Sequence, residues 1–281
     1  MKYKNAKICL TTKHKKQEAI GPAFNKILGA RLESIELDTD LLGTFSGEIE
    51  RKKSGLDTAR SKCELGMMET GYKYGLSSEG SFGPHPSIFF IPANIEILYF
   101  IDNENGFHLH ESILSINTNF KTAVLDQIEN LELFAEQIGF PSHALIIRPN
   151  LSEDKNLIFK AIQDPKLLRD SFEKSQKNSL DRKIWVETDM RAHMNPTRMK
   201  VIQEVSIKLA NRLKTLCPSC DMPGWGFVNI EKGLICRLCS LPTELAKYEI
   251  FSCTKCSYKE HITKNSSSEL ADPQYCQYCN P

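Results

Sequence analysis

The chain has no long hydrophobic run. None of its apolar stretches approaches the roughly 20 residues that a membrane-spanning helix needs. The basic N-terminus is followed only by a short apolar run at 8–10, far below a signal-peptide core. The chain also lacks an excess of charge: 36 Lys and Arg against 35 Asp and Glu give a formal +1. No global field therefore draws it to nucleic acid or an anionic membrane, and any polyanion must be held by local groups. No internal repeat is visible in the first two hundred residues. With 41% hydrophobic and 25% charged residues in 281, the composition is that of an ordinary globular protein. A cytoplasmic protein without membrane association is expected. Its thiols would then stay reduced, and its 10 cysteines would be ligands or core residues rather than disulfides.

Cysteine is abundant where it matters. Eight of the ten form four Cys-x-x-Cys pairs: Cys217/Cys220, Cys236/Cys239, Cys253/Cys256 and Cys276/Cys279. Two residues between cysteines let a tight knuckle aim both sulfurs at one ion, and two knuckles complete a tetrahedral thiolate cage. Taken in sequence, the first two pairs and the last two each have zinc-ribbon spacing. Pairing the first with the third and the second with the fourth is the alternative, and it encloses larger loops. Four thiolates leave no open coordination position, so two structural zinc ions are expected. His261, between the third and fourth pairs, is expected in solvent. Cys9 and Cys63 read as small core residues.

Residues 1–214 alternate strand and helix patterns. Strands are expected at 6–12, 31–37, 95–101, 107–114, 143–148 and 183–188. Helices are expected at 15–28, 57–70, 123–138 and 158–175, and a last helix is capped by Asn195 with Pro196 at its first position. Gly233 is expected to lead a strand into the second knuckle. This is an α/β fold with a mixed sheet and flanking helices (1–214), plus a small C-terminal zinc-ribbon domain (215–281).

Four polar segments fall where such a fold gathers a ligand, beyond the strand ends. At 11–16, Thr12, Lys13 and Lys16 open a helix, where free N–H groups favour phosphate. At 38–48, Asp38, Asp40 and Glu48 are carboxylates of the kind that hold Mg²⁺ beside a phosphate. At 77–85, a glycine-rich bend carries Glu79. At 187–198, Asp189, Arg191, His193 and Arg198 come together, arginine being suited to gripping phosphate in bidentate fashion. The plainer alternative pairs Arg191 and Arg198 with Glu187 and Asp189 in a structural network. Glu79, Glu48 and Asp189 are the candidate catalytic carboxylates.

Several long motifs run through the chain: Thr-Lys-His-x-Lys at 12–16, Asp-Thr-Asp at 38–40, Gly-Thr-Phe-Ser-Gly-Glu at 43–48 and Ser-Glu-Gly-Ser-Phe-Gly-Pro-His-Pro at 78–86. Phe-Pro-Ser-His-Ala at 140–144, Glu-Thr-Asp-Met-Arg-Ala-His-x-Asn-Pro-Thr-Arg-Met at 187–199 and a terminal Cys-x-x-Cys-Asn-Pro complete the set. In these the chain resembles a family of uncharacterised bacterial proteins that joins an α/β domain to C-terminal zinc knuckles. That resemblance implies the architecture and brings no activity with it.

Residues 6–115 also resemble, more distantly, the house-cleaning inosine/xanthosine triphosphate pyrophosphatases. The similar stretches are 11–16, the Gly-Thr-Phe at 43–45, Arg-Ser-Lys at 60–62 and Ser-Glu-Gly-Ser at 78–81. Lys13 stands where those enzymes have asparagine, and Glu79 where they have paired acids. The resemblance implies a Mg²⁺-dependent nucleotide hydrolase in which Lys16 and Lys62 hold phosphate and Glu48 and Glu79 hold the metal. The partner would be a nucleotide or other phosphorylated small molecule. The other reading is a module that binds nucleic acid or protein through its zinc ribbons, with the α/β part as scaffold.

Overall fold

The computed structural model describes residues 2–37, 54–152, 154–263 and 270–281. Asp38, Asp40, Glu48 and the Gly-Thr-Phe at 43–45 lie outside the described residues.

The expected mixed sheet is present and has five strands. β1 (Lys7–Thr11) lies between β2 (Arg31–Ile35) and β3 (Tyr74–Pro84), parallel to both. β4 (Pro92–Asp102) and β5 (Phe107–Ser115) continue it antiparallel, joined by the hairpin that Asn-Glu-Asn-Gly signalled. α1 (Gln17–Leu28) and α5 (Pro196–Lys214) cover one face. Their Ile20, Phe24, Ile202, Val205 and Leu209 pack with Leu10, Leu76, Leu98 and Phe100 in the largest core cluster. α2 (Gly55–Thr70) covers the other face, where Ala59, Cys63 and Met67 meet Tyr99. Gly29 and Gly71 end α1 and α2 in the left-handed conformation, as the sequence implies.

Three sequence-based assignments are corrected. Residues 77–85 do not form a bend: Tyr74–Pro84 is a full strand between β1 and β4, and Gly80 sits within it with no left-handed turn. Residues 123–138 divide into β6 (Thr122–Leu125) and α3 (Ile128–Ile138). Residues 158–175 divide into β8 (Phe159–Ile162) and α4 (Pro165–Lys177). The last division has a local cause. Asp164 caps α4 by accepting from the Leu167 N–H at 2.9 Å, and the residue before a proline is driven out of the helical region.

With β7 (Leu145–Pro149) and β9 (Ile184–Thr188), these strands make a second sheet, antiparallel throughout, in the order β6-β9-β7-β8. α3 and α4 bury Leu131, Phe134, Leu168 and Phe172 against Leu145, Ile147, Ile184 and Val186. A third sheet comprises β10 (Gly226–Lys232), β11 (Ala246–Ser252) and β12 (Lys259–Thr263). Here too one expectation changes. The strand precedes Gly233, whose φ of 110° turns the chain toward the second knuckle. Among the described residues no helix is long and apolar enough to cross a membrane.

Candidate functional sites

The eight cysteines gather into two clusters. Cys217 and Cys220 join Cys253 and Cys256, while Cys236 and Cys239 join Cys276 and Cys279. The pairing is therefore cross-braced, first with third and second with fourth. Sulfur separations across the clusters run from 3.6 to 3.9 Å. A tetrahedron with Zn–S bonds of about 2.3 Å requires about 3.8 Å between sulfurs. The donor set and its spacing fit two structural zinc ions.

Three of the four knuckles repeat one hydrogen-bond pattern. Asp221 N–H donates to Cys217 O, Ser240 N–H to Cys236 O and Asn280 N–H to Cys276 O, at 2.8–3.0 Å. N–H groups of Ser219, Leu238 and Lys255 point at the first sulfur of their own knuckles, at 3.2–3.4 Å, which stabilises thiolate. Cross-bracing is made by the intervening sheet. β10 and β11 pair antiparallel, so the chain leaving the first knuckle returns to it at Cys253. His261 stays outside both cages, half-exposed and 3.5 Å from Glu231.

The first cluster is anchored to the rest of the chain. Arg212, near the end of α5, bonds Gly224 O at 3.2 Å and Glu111 of β5 at 2.6 Å. Trp225 is 8% exposed and packs beside Tyr258. The second cluster carries exposed apolar side chains at its knuckles: Leu238, Tyr275 and Tyr278 are 71%, 59% and 58% exposed.

A second candidate site lies at the C-terminal end of β1. β1 connects through α1 to β2 on one side, and α2 then returns the chain to β3 on the other, with α1 and α2 on opposite faces. Such a switch point opens a crevice between adjacent strands, here β1 and β3. Thr12 and Lys16 leave β1 at this place, and Ser78 and Glu79 lie on β3 beside it.

Lys16 is 5% exposed. Its ammonium donates to Ser78 Oγ at 3.0 Å and approaches Ser78 O at 3.5 Å. Among the described residues no carboxylate forms an ion pair with it. Burial and the nearby Arg198 push its pKa down to about 8, against the pull of Glu96 and Glu79. The other cations at the site are compensated. Lys62 of α2 pairs with Glu79, Arg198 with Glu96 of β4 at 2.7 Å, and Arg191 with Asp189 at 3.0 Å. Gly80 makes this packing feasible, because a Cβ there would stand 2.6 Å from Glu96 Oε1 and against the Arg198 guanidinium.

The fourth segment converges on the first. His193 stacks on His14, ring centroids 5.3 Å apart at 21°. His14 and Lys15 both have positive φ, 67° and 56°. That costs of order 1–3 kcal/mol at each position and lets the loop carry His14 and Lys16 in different directions. Burial, then His193, Lys16 and Arg191, push the His14 pKa down to about 4. Burial and Arg191 lower that of His193. Asp189 is fully buried, and besides Arg191 it accepts from the N–H of Ala161, a residue at φ 60°. Its carboxylate therefore holds Arg191 and the start of this loop in place.

Three of the four polar segments thus meet, together with Lys62. The remaining segment, with Asp38, Asp40 and Glu48, lies outside the described residues. Of the expected structural network, the Arg191–Asp189 pair exists, whereas Arg198 turns to Glu96 and Glu187 accepts instead from the Trp185 indole N–H at 3.3 Å. Sequence reasoning missed Glu96, Ser78 and His14. Glu96 was legible only as a lone acid in an apolar strand.

Two cavities lie elsewhere. One of about 520 Å³ is lined by Arg60, Met67, Tyr99 and His108, and one of about 590 Å³ by Phe89, Phe90, Phe120 and Lys121.

The family model described as domain of unknown function, DUF6671, matches residues 62–281. The matched stretch contains every zinc ligand together with Lys62, Glu79, Glu96, Asp189, Arg191, His193 and Arg198. Thr12, His14 and Lys16 precede it. No curated protein matches the chain.

Proposed function

We propose that this chain, which belongs to the DUF6671 family, binds a phosphorylated compound at the β1–β3 switch point and hydrolyses it, nucleoside triphosphates being the first substrates to try. One observation carries the reading: Lys16 is a buried ammonium whose hydrogen-bond partners, among the described residues, are a hydroxyl and a carbonyl of Ser78. A buried cation without a directly paired carboxylate is costly, and an anionic ligand reduces that cost. Lys62 would turn from Glu79 to the same ligand. Glu79 would then face the ligand and orient a water.

Magnesium, which the pyrophosphatase resemblance implies, draws no support from the described residues: Asp38, Asp40 and Glu48 lie outside them, and Glu79 is paired with Lys62. No step is assigned to Mg²⁺, which enters the test as a variable.

The test is incubation of the zinc-loaded protein with canonical and deaminated nucleoside triphosphates, with and without Mg²⁺, measuring release of phosphate and pyrophosphate. Turnover that disappears in Glu79→Gln and Lys16→Met, both still folded, supports the reading. Absence of turnover with any triphosphate removes the hydrolase assignment.

A second reading rests on a different observation, the exposed Leu238, Tyr275 and Tyr278 at the second zinc cluster. There the zinc unit is the recognition element, for nucleic acid or protein. Loss of a partner on Leu238→Ser or Tyr278→Ser, with Lys16→Met indifferent, would favour it.

A further inference from the structure

We propose that the stacked His14–His193 pair, with Arg191 fixed by Asp189, is a second anion subsite beside Lys16, so that the ligand carries two linked anionic groups, as a diphosphate or triphosphate does. This deepens the reading given above and rests on it.

The subsite is built from two loops that the sequence keeps 177 positions apart but the fold brings to one crevice: His14 follows β1, and Arg191 and His193 follow β9. Asp189 grips the Arg191 guanidinium through Nε and Nη2 and accepts its backbone N–H at 3.1 Å, which fixes where the free edge of the guanidinium points. Guanidinium held in this way is a preformed anion donor.

The imidazoles supply the complementary donors. His193 Nδ1 is buried and has no hydrogen-bond partner among the described residues. An imidazole nitrogen in that condition lacks the partner that buried polar atoms ordinarily have, and a ligand oxygen would provide one. Burial, then His193, Lys16, Arg191 and Arg198, oppose charge on His14; burial, then Arg191 and Lys15, oppose it on His193, where Asp189 and Glu18 pull the other way. A bound anion would favour the charged form of both rings.

Geometry separates the two subsites. His14 and Lys16 are two residues apart, a backbone span of at most about 7 Å. Lys16 points inward to Ser78 on β3, while His14 turns to His193 across the crevice. Lys16 and the two imidazoles therefore face different walls of the crevice, an arrangement that two phosphoryl groups sharing a bridging oxygen would match.

The experiment is isothermal titration of the zinc-loaded, full-length protein with inorganic phosphate and with pyrophosphate at pH 7 and low ionic strength. Pyrophosphate is expected to bind at least about tenfold more tightly than phosphate, a difference of about 1.4 kcal/mol. In His14→Asn and in His193→Gln that preference should fall by about tenfold. Asparagine is chosen at 14 because it tolerates positive φ. Should either variant fail to retain two zinc ions and native helix content, the wild-type histidine ring resonances decide instead. Two of them must move with pyrophosphate and stay in place with phosphate. Equal affinity for the two anions, or a preference untouched by both substitutions, overturns the subsite and leaves the Lys16 reading standing. Failure of the wild type to bind either anion overturns both.

Discussion

Arg198 and Glu96 meet at 2.7 Å with side chains 2% and 0% exposed, tying the first turn of α5 to the middle of β4 across 102 positions of sequence. The guanidinium also bonds Met190 O and lies over the Phe82 ring, 5.0 Å from its centroid. One ion pair thus joins the five-stranded sheet, the last long helix and the loop that carries Arg191 and His193.

Breaking this pair from one side should cost much more than removing it. Glu96→Gln removes the carboxylate that the buried Arg198 guanidinium meets at 2.7 Å, and a loss of about 3–5 kcal/mol is expected in urea denaturation. Glu96→Leu combined with Arg198→Met should cost far less than either member alone. Gly80→Ala, which pushes a methyl into the same pair, should lose about 1–3 kcal/mol.

Lys16 should be destabilising in the ligand-free protein. Its pKa is about 8 in the fold against the ordinary lysine value of 10.5, so between those values the unfolded chain holds a proton that the native chain does not. The stability contribution therefore rises as pH increases from about 8 to 10.5, and the penalty is fully present below pH 8. A displacement of that size corresponds to on the order of 3 kcal/mol. Lys16→Met should raise the urea midpoint at pH 7, and the wild-type-minus-variant difference should shrink toward pH 10.5. A variant less stable than wild type at pH 7 would contradict this account.

Zinc stoichiometry distinguishes cross-bracing from two sequential ribbons. The wild type should bind two zinc ions per chain, one for each cysteine cluster. Cys217→Ser with Cys253→Ser disables a single cluster, so one ion should remain. Cys217→Ser with Cys236→Ser strikes both clusters and should reduce binding toward none. Sequential pairing would give the opposite order, so metal content by mass spectrometry decides.

Chelation should be felt in α5. The helix ends at Lys214, shortly before Cys217, and Arg212 bonds both Gly224 O and Glu111. Removing zinc should raise amide exchange over residues 209–216 and 224–232. Residues 98–100, in the centre of the main sheet, should keep their protection. Uniform loss of protection throughout the chain would show that the zinc unit is integral to the main core.

The sequence alone determined what depends on local chemistry. Cys-x-x-Cys makes a knuckle because two intervening residues are enough to bring both sulfurs to one ion, whatever the rest of the chain does. Glycines 29 and 71 end helices because a residue without Cβ enters the left-handed region without strain. Asp164-Pro165 was also a local signal, and reading it would have separated β8 from α4. Tertiary structure decided what depends on partners far away in sequence. Residues 74–84 form a strand despite their glycines, because β1 and β4 supply the ladder on both sides and Arg198 with Glu96 needs the space that Gly80 leaves. Which knuckle meets which was set by the antiparallel pairing of β10 with β11, which the cysteine spacing did not contain. The same holds for the switch point. Lys16 and His193 were each visible as polar residues near a helix start, but only the packing of α5 beside α1, with Arg198 paired to Glu96, brings the loop before α5 to the crevice at the end of β1.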